Sequence, residues 1–172
     1  MLRRTFLAIA AATVAVGNRL RGQNRGELQR MTDEQLASTP HKSEEIMAMD
    51  SAELVAILND PDATEFAKAK ACQRLAMVGN AAAVPALAGL LSDARLAHYA
   101  RTALEPMPPG AADQALREAL GKLDGDLLVG VINSIGVRRD PMALTALAQL
   151  RHGDDQSVTE AATAAINRIR RP

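Results

Sequence analysis

The chain has 172 residues, of which 48% are hydrophobic and 2% aromatic, with no Trp. Ala and Leu therefore carry the apolar content, which suits close-packed helices and disfavours a β-sandwich built on aromatic and β-branched residues. The 20 basic and 20 acidic side chains cancel, which argues against a general polyanion binder resting on a basic excess. Cys72 is the single cysteine, so no internal disulfide can form and stability rests on packing.

Residues 1–17 read MLRRTFLAIAAATVAVG. Two arginines precede an apolar run from Phe6 to Val16, too short to span a bilayer as a helix, and small residues follow. This is the pattern of a secretory signal peptide, with cleavage expected after Ala15 or Gly17. Arg3-Arg4-Thr5-Phe6-Leu7 also resembles the twin-arginine export motif, although Leu2 and Ala8 stand where Ser or Thr and Lys are usual. A mitochondrial presequence and an uncleaved membrane tether are the competing readings. Residues 18–49 have few recurring apolar positions and read as a linker. Thr32, three residues before Gln35, has capping-box spacing and marks one short helix within it.

From residue 50 onward the chain becomes periodic. Helices are expected over 51–58, 63–78, 82–91, 94–104, 111–121, 126–136, 141–150 and 156–169, which makes four pairs. In the second helix of each pair a small or β-branched residue stands four before a large aliphatic one: Ala71 and Leu75, Ala100 and Leu104, Val131 and Ile135, Ala162 and Ile166. Residues four apart share a helix face. These copies are offset by 29, 31 and 31 residues. The first helices align independently on Leu54, Leu87, Leu116 and Leu147, offset by 33, 29 and 31. A fixed period in this range marks a stacked array.

Turn residues fall where the period requires them. Asn59-Asp60-Pro61-Asp62, Ser92-Asp93, Asp124-Gly125-Asp126 and Gly153-Asp154-Asp155 separate first from second helices. An Asp there can accept from the free N–H groups that open the next helix. Between pairs stand Gly79-Asn80, the stiff corner Pro106–Gly110 with its double proline, and Gly136–Pro141. In the last of these, Gly136 is expected to end a helix, Asp140 to cap the next and Pro141 to start it.

The D-P-D corner, the A-x-x-x-L second helix and the run G-x-R-R-D-P-x-A-L-x-A-L beginning at Gly136 resemble bacterial HEAT repeats, most closely the phycobilisome-lyase-like type. The resemblance covers about residues 50–170; the first pair departs from it, with about two extra residues after Pro61-Asp62. It implies an all-α fold, an α-solenoid of about four stacked antiparallel helix pairs over residues 50–172, with the second helices lining a concave face.

Residues with chemical potential find bland roles. Gly130–Gly136 is superficially similar to a nucleophile elbow, but Ile132 replaces a required Gly and no strand precedes it. Ser134 occupies the register of Ala103 and Ala165 and reads as a small packing residue. His41, His98 and His152 are far apart, and Cys72 has neither a second Cys nor a His at ligand spacing. The paired aspartates sit at helix starts and read as caps, without the remaining ligands of a calcium loop. No catalytic residue, metal site or cofactor is therefore assigned.

Gln73, Thr102 and Asn133 share one register in consecutive second helices, two residues after the ladder Ala or Val. They are expected to form a polar stripe, with Arg74, His98, Tyr99, Arg101, Arg138 and Arg139 beside it; a simple solvated helix face is the competing reading. The expected function is a non-catalytic, exported scaffold or adaptor, periplasmic or extracellular, holding a protein or peptide on its concave face. Tyr and Arg are favoured at such contacts. The lack of a basic excess and of stacking aromatics disfavours nucleic acid, and no stable membrane span is expected. The alternative, implied by the resemblance alone, is phycobilin-lyase-like or chaperone-like handling of a tetrapyrrole.

Overall fold

The structure, a computed structural model, describes residues 42–171. The leader expected over residues 1–17, the short helix expected at Thr32, and His41 lie outside the described residues. Within them the regular structure is entirely helical: nine α-helices, two 3-10 turns and no strand.

The first helix, α1 (Ser43–Ala48), belongs to a stretch read from sequence as linker. Its one buried side chain, Ile46, is fully enclosed, and the helix packs against α3 (Glu65–Val78). Six residues are too few to display a helical period, so a single anchoring isoleucine is all the signal this segment carries. The packed unit consequently starts at Ser43.

Asp50 opens α2 (Ser51–Asn59) with a complete capping box: its carboxylate accepts from the Ala52 and Glu53 N–H groups, and Glu53 accepts from the Asp50 N–H. The next corner differs from expectation. Asp60 accepts from the Asp62 N–H and closes a local turn, and Thr64 caps α3 by accepting from Ala67 N–H. The helix therefore starts at Glu65, not at residue 63. Asn80 caps a 3-10 turn over Ala81–Ala83 that leads into α4 (Val84–Gly89), with Pro85 in the first turn, where a missing N–H is harmless. Asp93 holds the turn before α5 (Ala97–Leu104) by accepting from Arg95 and Leu96.

Gly110, at φ +120, turns the chain into α6 (Ala111–Ala119). The following helix, α7 (Gly125–Arg138), has no side-chain cap from Asp124; Gly125 makes that turn at φ +48. Gly136 does not end α7. It lies inside the helix, where an added Cβ would come within 3.0 Å of Ala165 Cα on α9 (Gln156–Arg170). Its smallness serves a close helix–helix approach, and Arg139 ends α7 by taking the left-handed conformation at φ 54. Asp140 then caps the 3-10 turn Pro141–Ala143 ahead of α8 (Leu144–Leu150), accepting from Met142 N–H. Asp155 caps α9 through the Ser157 and Val158 N–H groups.

Both ladders form the core. Leu54, Leu87, Leu116 and Leu147 are fully buried, and all eight ladder residues of the second helices are at most 4% exposed. Each such aliphatic burial contributes about 1.5–3 kcal/mol. Contacts follow the same order: α2 packs on α3, α4 on α5, α6 on α7 and α8 on α9, and each second helix packs on the next, α3 on α5, α5 on α7 and α7 on α9. Small residues at the ladder positions let backbones approach while Leu and Ile fill the layers.

Candidate functional site

Because α3, α5 and α7 pack successively, Gln73, Thr102 and Asn133 fall at equivalent places along one row. Gln73 and Thr102 are exposed and Asn133 is half-buried. Gln73 accepts from Lys70 Nζ, and Thr102 donates to the His98 carbonyl one turn back, so both side chains lie along their own helices. His98 is exposed; Tyr99 is half-buried against the core, with its ring edge-on to His98 at 5.7 Å between centroids. One turn beyond the row stand Met77 and Val137, which are 72% and 54% exposed. Polar side chains thus run beside exposed apolar ones on the second-helix face.

The arginines divide by environment. Arg101 reaches from α5 to α7, donating from Nη1 to the Gly130 carbonyl at 3.0 Å and to Ser134 Oγ at 3.4 Å. Ser134, fully buried, donates to Glu105 Oε1 at 2.7 Å. Burial pushes the Arg101 guanidinium below its ordinary value, and the Glu105 charge opposes that shift. The guanidinium rests where a Cβ on residue 130 would stand, 2.6 Å from its Cζ, so Gly130 is the space that admits it. Ser134 therefore has a specific partner set, which its small-residue register did not announce. Arg74 occupies that same register on α3, half-buried, its Nε enclosed without a hydrogen-bond partner.

Arg138 is turned inward. Its side chain is 4% exposed and donates from Nη1 to the carbonyls of Leu104, Glu105 and Met107, each within 2.8 Å, while Nε pairs with Asp113. Leu104 and Glu105 stand at the C-terminal end of α5, where a cation is favourable, and Met107 lies in the corner beyond it. Asp113, at the start of α6, also accepts from Gly110 N–H. One guanidinium therefore fastens the whole double-proline corner. Burial pushes the Asp113 carboxyl up, but the Arg138 hydrogen bond, the Gly110 N–H and the Arg138 and Arg117 charges outweigh it and hold the group below the ordinary carboxylate range. Arg138 is thus spent within the fold rather than presented on the stripe.

Arg139, next to it, is exposed. It borders a groove of about 350 Å³ between the Pro109-Gly110 corner and the Asp140–Met142 turn. Arg117 and Asp140 form an ion pair on the same groove, with Asp140 buried. Arg117, Asp113, Asp140 and Glu105 were absent from the sequence reading of the site. One signal was present for Arg138: three residues after the ladder aliphatic, the other copies have Val78, Met107 and Ile169. A cation at an otherwise apolar register announces a buried pair.

Among the described residues, no group of three or more His, Cys, Asp and Glu side chains is placed to hold a metal ion, and no helix is long and apolar enough to cross a membrane. No family model, curated protein or solved structure matches the chain.

Proposed function

We propose that the chain is a HEAT-like α-solenoid binding module, an exported scaffold or adaptor that holds a protein or peptide partner on the face formed by its second helices. The observation that carries this reading is the row Gln73, Thr102 and Asn133 on successively packed helices, flanked by exposed Met77 and Val137. Polar positions that repeat at the spacing of the helix stack can engage an extended segment repeatedly, and the adjacent apolar side chains offer burial. The order of helix contacts supports a stacked array, in which neighbouring pairs complete one another's core. The signal-like residues 1–17 support export.

The side chains of Gln73, Thr102 and Asn133 make no hydrogen bond to another helix, and Gln73 and Thr102 are exposed, so the test separates binding from folding. A Gln73→Arg, Thr102→Arg, Asn133→Arg triple variant should lose partners that the wild-type protein captures, while its melting curve stays close to wild type. Retention of every partner by a folded triple variant contradicts the reading. Fusion of residues 1–26 to a reporter tests export; a reporter retained in the cytoplasm contradicts it.

A further inference from the structure

We infer that the groove between the Pro109-Gly110 corner and the Asp140–Met142 turn binds a carboxylate side chain of a peptide partner, with Arg139 as the charged contact and Met142 as its apolar neighbour. Three guanidiniums border the groove, those of Arg117, Arg138 and Arg139, against the two carboxylates of Asp113 and Asp140. Arg117 is paired with Asp140 and Arg138 with Asp113. Arg139 has no carboxylate partner among the described residues. The groove is left with one cation in excess, on its exposed rim.

The backbone marks the same residue. Arg139 is the one non-glycine among the described residues with positive φ, in a conformation glycine adopts far more readily. A long charged side chain in a strained position beside a groove is an observation that points towards use. Met142, 74% exposed, together with Pro109 and Pro141, supplies an apolar wall. The volume is at the small end of ligand sites and suits a side chain or two rather than a large cofactor. A single excess positive charge matches a monovalent carboxylate. A phosphate dianion would bring two charges to a groove already lined by Asp113 and Asp140, so the oxyanion favoured is a carboxylate.

This inference rests on the binding-module reading for its peptide, yet the two fail separately, because Arg139 is not part of the Gln73–Thr102–Asn133 row. The probe is a fluorescent acetylated peptide amide, Gly-Leu-Glu-Leu-Gly, titrated into the full chain at low salt, with its Gln counterpart as comparator and inorganic phosphate and acetate as competitors. The Glu peptide should bind and shift the amide resonances of Arg139 and Met142, weakening as salt rises. The Gln peptide and the Arg139→Gly variant should each bind about five- to tenfold more weakly, the loss of one charge-assisted contact. Arg139→Lys should retain part of the affinity. Glycine suits the backbone at this position, so Arg139→Gly keeps the fold. Equal binding of the Glu and Gln peptides, an unchanged Kd in Arg139→Gly, or no shift at millimolar peptide overturns the inference. Displacement by phosphate at lower concentration than by acetate identifies a phosphate site and overturns the carboxylate assignment. Loss of partners in the row variant with intact Glu-peptide binding leaves this groove assigned.

Discussion

Replacing Arg138 with Met keeps most of the side-chain stem and removes only the guanidinium. The carbonyls of Leu104, Glu105 and Met107 then lose a shared donor, although Leu104 still accepts from the Met107 N–H, and Asp113, whose side chain is 13% exposed, loses its charged partner. Removing one member of a buried ion pair typically costs about 3–5 kcal/mol, chiefly because the other charge is left desolvated. Asp113 retains the Gly110 N–H and lies near Arg117, and the carbonyls sit at a corner that water can reach, so the low end, about 3 kcal/mol, is expected. That is a large share of the roughly 5–15 kcal/mol that holds a domain together. Urea unfolding should show a lower midpoint with an unchanged slope. Asp113→Asn should cost less than Arg138→Met, because the amide oxygen still accepts from Gly110. The pH dependence has a definite sign. The folded carboxyl titrates below the unfolded value of about 3.9, so its stabilisation is present above that value and lost as pH falls through the folded one. The gap between wild type and Arg138→Met should therefore narrow below about pH 4. A loss under about 1 kcal/mol at neutral pH would refute the assignment of Arg138 as the corner's fastening.

Ile135→Asp should place an unpaired charge between stacked layers and cost several kcal/mol, with loss of cooperative melting; an unchanged melt contradicts the ladder. Arg139→Gly should raise stability by about 0.5–1 kcal/mol in urea unfolding, because glycine removes the left-handed strain at some cost in unfolded-chain entropy; a clear loss contradicts the backbone assignment. Ile46→Ala should destabilise the whole unit by about 2–4 kcal/mol in one cooperative transition, since α1 is part of the core. Cys72 is buried, and burial pushes its thiol up to about 12, so it should resist alkylation at pH 8 in the folded protein and react on unfolding.

Much of the fold was legible because it is periodic. Eight helices follow from two ladders and their turn residues, and all twelve ladder residues are buried. Two features escaped. Helix α1 has one anchoring residue and no period. Gly136 carries the composition of a helix end, but its role depends on how near α9 lies, which no local pattern states. The site was less legible for a related reason. Exposed Gln73 and Thr102 follow from register alone, whereas Arg138, expected beside the stripe, is drawn inward by carbonyls and an aspartate up to 34 residues away. Pairings such as Arg117 with Asp140 and Ser134 with Glu105 exist only once corners of different pairs are brought together.

Hydrogen–deuterium exchange across the whole chain, with and without a partner captured by the wild-type protein, bears most directly on the binding-module account. Partner-dependent protection is predicted on successive second helices, α3, α5 and α7, around Gln73, Thr102 and Asn133. Protection confined to the first helices α2, α4, α6 and α8 would contradict it.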